Sequence, residues 1–216
     1  MPCCVHLALA LARMHCPHPQ LTASLALTAR QDPFSLQPWA LAALIWSTTV
    51  QGACPPNWLK QLGPAVKEYV EDGRMHPRDH LMVLWCYAVA EARYTDLLEA
   101  SVHQVRAAVS RSRDPGGAAA SELPGGNTAA SRREALQREV SVAKLRQLLL
   151  RPGSWAPGHV LACYARLGAT LPPDLAATLR NLDARNRRCA SRPLVPPWMS
   201  RVRGVPMMPP RGIGAV

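Results

Sequence analysis

The sequence predicts an all-α fold: a short α-solenoid of helical-hairpin repeats of about 38 residues, with a disordered insertion and an extended C-terminal tail. Three observations point there. Residues 34–46 and 76–85 both start polar and end in an apolar run, and their tryptophans Trp46 and Trp85 stand 39 positions apart. A turn with glycine, two prolines and a leucine occurs at Gly52, Pro55, Pro56 and Leu59 and again at Gly168, Pro172, Pro173 and Leu175. Pro173 thus follows Pro56 by 117 positions, three steps of 39. Leu21, Leu59 and Leu98 follow one another at intervals of 38 and 39. A fixed spacing of this length marks units that bury their faces only against their neighbours.

Taken in order, the pattern predicts a hairpin of residues 3–13 with 18–30, a second of 36–51 with 56–72, a third of 78–91 with 95–110 and a last of 156–167 with 172–185. At the second hairpin, Gly52 ends one helix and Pro56 enters the first turn of the next, where its missing N–H is not needed. The first helices of hairpins two and three are apolar around most of their circumference, which suits a helix buried between neighbours. The spacing then breaks. Residues 111–130, rich in Arg, Gly, Ser and Ala, predict a flexible insertion. Residues 131–150 predict a helix opened by Ser131 and Glu134 in the spacing of a capping box. Its packed face is expected at Leu136, Val140, Ala143 and Leu148, leaving Arg132, Arg133, Arg138, Lys144 and Arg146 in water. The predicted divisions are 1–110, 111–130, 131–185 and a basic, proline-rich tail at 186–216.

Six Trp and four Tyr stand against one Phe, and the 21 prolines must punctuate short elements. With 48% hydrophobic residues the chain can bury a core, which excludes wholesale disorder. Its net charge of +11 is unevenly spread. Residues 1–110 hold eight basic and eight acidic side chains, residues 111–179 nine and five, and residues 180–216 eight arginines with Asp183 as the one acid. An anionic partner is expected at the back of the chain. Seven cysteines at scattered positions suggest a reducing compartment rather than a disulfide framework. The best apolar stretch, 36–50, contains Gln37, Ser47, Thr48 and Thr49 and is too short for a membrane span, so a soluble protein without a membrane partner is expected. The start, whose first arginine is Arg13, lacks the arginine-rich pattern of a transit peptide.

The helix at 34–46 and the turn of Gly52, Ala53, Pro55, Pro56, Trp58 and Leu59 resemble the octotricopeptide repeat of algal organelle proteins, with the heptatricopeptide repeats of apicomplexans next nearest. The resemblance covers residues 2–110 and 155–185 and is strongest in the second hairpin. Ala8 and Ala162 stand where the repeat has Trp, and Tyr94 and Thr95 replace its proline pair, which argues against a base-by-base RNA code. The resemblance implies an α-solenoid that binds organelle RNA. No accessory RAP-type domain is evident, so no nuclease role is implied.

An extended grip on phosphates needs an excess of Lys and Arg on the array itself, and residues 1–110 have none in net terms. The expectation is therefore a structural, rRNA-contacting component of a mitochondrial ribosome, with the chloroplast as the alternative organelle. Neighbouring ribosomal proteins would meet the neutral N-terminal hairpins. A free organelle RNA stability or processing factor and a protein–protein adaptor solenoid are the alternatives. The residues expected on RNA are Arg111, Arg113, Arg132, Arg133, Arg138, Lys144, Arg146, Arg151, Arg185, Arg187, Arg188, Arg192, Trp198, Arg201, Arg203 and Arg211. Their guanidinium groups bridge phosphates bidentately, and Trp198 offers a face for a base.

No catalytic residue, metal or cofactor is expected. Cys3, Cys4, His6, His15, Cys16 and His18 are competent zinc ligands, but their spacing matches no closed tetrahedral pattern, and capping histidines with core cysteines account for them better. His80, His103 and His159 read as packed or surface histidines. Glycine pairs at 116–117 and 125–126 lie in low-complexity sequence and make no phosphate loop. Met75, Met82, Trp39, Trp46, Trp58 and Trp85 are expected in the core.

Overall fold

The computed structural model describes residues 2–14, 16, 18–52, 54–110, 129–190 and 196. Among these there are nine α-helices, a short 3-10 turn at Pro33–Ser35 and no strand. In order they are α1 (Pro2–Arg13), α2 (Pro19–Gln31), α3 (Pro38–Val50), α4 (Pro56–Glu71), α5 (Pro77–Val89), α6 (Thr95–Ser110), α7 (Ala129–Leu150), α8 (Ala156–Arg166) and α9 (Pro173–Cys189). The fold is all-helical. Six of these helices, α1, α2, α3, α4, α5 and α9, begin on a proline, among them Pro56, which the sequence placed at a first turn.

Packing sorts the helices into two sets. α1 lies on α3, α3 on α5 and α5 on α8, while α2 lies on α4 and α4 on α6. α3 is buried along the whole run from Ala40 to Thr49, as its apolar circumference requires. Its three hydroxyl residues are accommodated because Ser47 and Thr48 donate to the Leu44 carbonyl and Thr49 to that of Ile45.

Long side chains tie helices together within a set and across the two. Trp58 on α4 donates its indole N–H to the Ala26 carbonyl of α2 at 2.9 Å. Tyr69 donates to the carbonyls of Phe34 and Leu36 just before α3, with the Arg74 guanidinium 4.6 Å above its ring. Tyr87 of α5 reaches the Leu59 carbonyl near the start of α4, and Tyr164 of α8 reaches the Leu98 carbonyl near the start of α6, both at 2.6 Å. α8 therefore stands to α6 as α5 stands to α4. The helix ends agree. The Ala92 N–H closes on the Tyr87 carbonyl and the Ala169 N–H on that of Tyr164, both through a residue of positive φ.

Some expectations need correction. α7 begins at Ala129, so Ser131 lies inside its first turn and is not the N-cap. α9 continues through Asn186, Arg187 and Arg188 to Cys189, past the expected tail boundary at 185, because Asn186 is fully buried and donates to the Ser154 carbonyl. Trp39 is 39% exposed and stacks on His6 instead of entering the core, and Cys3 and Cys4 are exposed. Trp46, Trp58, Trp85 and Met75 are buried as expected.

Candidate nucleic-acid interface

Of the basic residues expected on RNA, those that the structure describes lie on α7, on the turn after it and on the last turns of α9. α7 packs on α6 and touches α5 and α8. Its position over the α4–α5 turn depends on Gly73, whose φ is +67° and whose missing Cβ would sit 2.8 Å from the Arg138 Cα. Beside it, Arg138 pairs with Asp72 at 3.3 Å. Lys144 is near enough to help lower the basicity of His76, after the larger effect of the ring's partial burial and against the pull of Asp79.

The packed face of α7 is not the expected one. Val142, Leu145 and Leu149 are buried, at the i, i+3 and i+7 spacing of one helical stripe. Leu136 and Val140 are 61% and 44% exposed, and Ala143 is exposed. Leu148 is half-buried. The helix has two apolar stripes, and the array takes the one further along.

Arg132, Arg133 and Lys144 are solvent-exposed on α7, as expected; Arg146 is half-buried, and Arg138 is spent on Asp72. A corner forms where α7 ends. Arg146 and Arg151 line an open depression with Val142, Ala143, Gln147 and Leu150. Arg185 of α9 donates to the Leu150 carbonyl at 2.9 Å, which brings a third guanidinium to the same end of α7. Asn186 and Ser154 lock that junction, Asn186 onto the Ser154 carbonyl and the Ser154 hydroxyl onto the Leu148 carbonyl. Neither Arg146 nor Arg151 has an ion-pair partner among the described residues.

Arg187 is held by Asp183 at 2.8 Å, and Arg188 is exposed beside it. Both lie in the last turn of α9, where positive charge is favoured by the carbonyl end of the helix. The structure therefore brings Arg146, Arg151 and Arg185 together, with Arg187 and Arg188 one turn away, and leaves Arg132 and Arg133 at the other end of α7. Arg111, Arg113, Arg192, Trp198, Arg201, Arg203 and Arg211 lie outside the described residues.

The titratable groups of the interior are spoken for by the fold. His80 is hydrogen-bonded to Ser101 at 2.9 Å, and burial lowers its ring to about 4. His159 donates through Nε2 to the Leu81 carbonyl at 2.9 Å, and burial lowers it likewise to about 4, partly opposed by that bond. Burial raises the thiols of Cys86 and Cys163 and so keeps them protonated. His18 and His76 cap α2 and α5 by accepting from the N–H groups of Leu21 and Arg78. Among the described residues no group of three or more His, Cys, Asp or Glu is placed to hold a metal ion. No described helix is long and apolar enough to cross a membrane.

No protein-family model matches the chain, and no curated protein or solved structure is detectably similar to it.

Proposed function

We infer that the chain is a short α-solenoid of helical-hairpin units related to the octotricopeptide repeats, serving as a structural, rRNA-contacting subunit of a mitochondrial ribosome. The repeat reading is supported by the matched bonds of Tyr87 and Tyr164 and by α8 packing on α5 as α5 packs on α3. The RNA reading is carried by one observation: Arg146, Arg151 and Arg185 meet at the end of α7, held there by the bond from Arg185 to the Leu150 carbonyl. Three guanidiniums at one corner suit adjacent phosphates. Arg187, Arg188 and the four further arginines of residues 191–216 extend the charge along the chain. The neutral residues 1–110 are left to meet protein.

Two measurements test this. A tagged protein in an organelle lysate is expected to sediment with a ribosomal subunit, and sedimentation as a free species rejects the ribosomal role. The triple change Arg146→Gln, Arg151→Gln, Arg185→Gln is expected to weaken RNA binding and flatten its dependence on log salt by about 2 to 3, at about 0.7 to 0.9 per lost phosphate contact. An unchanged slope with unchanged helicity rejects the corner as the RNA contact.

A further inference from the structure

We propose that the exposed stripe of α7, Leu136, Val140 and Ala143, is a docking ridge for an acidic amphipathic helix of a neighbouring protein. The two large residues of the stripe are among the few large apolar side chains the structure leaves in solvent. Their i, i+4 and i+7 spacing puts all three on one line of the helix, the form that inserts between the ridges of a second helix. The opposite stripe, Val142, Leu145 and Leu149, is consumed by packing inside the chain, so α7 is gripped from behind and offers its front. The ridge meets the arginine corner at Ala143, but Leu136 and Val140 lie toward the start of α7 from it, and the ridge stands whether or not that corner binds RNA.

Charge selects the occupant. On one flank of the ridge the helical spacing sets Arg133 and Lys144, both exposed, with no acidic residue beside them. The other flank carries Arg132, Glu139 and Arg146. A second copy of the chain would bring the same basic flank against itself, a like-charge contact. Residues 191–216 hold Arg192, Arg201, Arg203 and Arg211 and no acid, so the chain's own C-terminal segment repeats the mismatch. A helix with leucines on one face and glutamates beside them fills the stripe and meets Arg133 and Lys144 with carboxylates.

The test uses the full chain and a short, fluorescently labelled synthetic helix with leucines at i, i+4 and i+7 flanked by glutamates. Controls are the same peptide with lysines for the glutamates, anionic phospholipid vesicles and an RNA oligonucleotide. The acidic peptide is expected to bind and the lysine peptide not. Leu136→Ser and Val140→Ser, at exposed positions that leave helicity unchanged, should each weaken the peptide about tenfold. Lys144→Glu should shift preference toward the lysine peptide. Equal binding of both peptides, no binding, or indifference to Val140→Ser overturns the proposal. So does vesicle or RNA binding that falls with Val140→Ser, since the ridge would then serve lipid or nucleic acid. Failure of the arginine-corner variants to change RNA binding touches only the RNA reading.

Discussion

Glu91 holds, with φ of 53°, the left-handed position that Gly168 fills with φ of 60° at the end of α8. Gly52 fills it after α3 with φ of 69°. All three end a helix of the same packed set, and only Glu91 carries a Cβ into a conformation that costs an L residue about 1–2 kcal/mol. Its one visible return is a 3.6 Å pair with Arg166, largely in solvent and worth little. Glu91→Gly is therefore expected to stabilise the protein by about 0.5–1 kcal/mol after the added freedom of the unfolded chain is counted. Urea unfolding checks it, and a destabilised variant would show that the Arg166 contact outweighs the backbone strain.

The tyrosine bonds give a second expectation. Tyr87→Phe and Tyr164→Phe each remove a hydroxyl that satisfies a carbonyl near the start of a helix, of Leu59 and Leu98 respectively, while keeping the ring. Each should cost about 1–2 kcal/mol, with similar values because the geometry is shared. The two changes should add in the double variant, since they act on different pairs of helices. A loss at one site alone, read from thermal unfolding, would show that the junctions are not equivalent.

Acid should unfold the protein through its buried imidazoles. His80 and His159 have folded values of about 4 against an ordinary 6.5. Between those values the unfolded chain binds more protons than the folded one. Their contribution is thus intact above 6.5 and is lost as pH falls toward 4. The loss is on the order of 3 kcal/mol for each ring. His159→Gln, which keeps a donor for the Leu81 carbonyl and does not titrate, should flatten about half of the fall. Denaturation midpoints measured across that window decide it: a variant as acid-sensitive as the parent would place the effect elsewhere.

Helix placement was legible because local chemistry governs it. Proline at the first turn and glycine or proline in the connections reveal themselves without tertiary context, and Pro38, Pro56, Pro77 and Pro173 each begin a helix. The face of α7 was not legible. Two apolar stripes of similar strength run along it, and the choice belongs to distant partners: the close approach at Gly73 and the pairing of Arg138 with Asp72. The end of α9 was misread for a related reason. Arg185, Asn186, Arg187 and Arg188 are too polar to advertise a packed helix, and only the carbonyls of Leu150 and Ser154, brought from another part of the chain, show why it persists. The sequence listed the arginines of the candidate interface but not their grouping, which depends on that same junction.

Stacking α8 directly on α5 has a kinetic consequence. To join α3 to α5 the chain must close over residues 51–76, but to join α5 to α8 it must close over residues 90–155, more than twice the length. Each doubling of a closing loop adds about 0.6 kcal/mol of entropy to the step. The seam between α5 and α8 should be the last to form on refolding and the first to part, so that α8 and α9 exchange their amide protons as one unit while α3 to α5 are still protected.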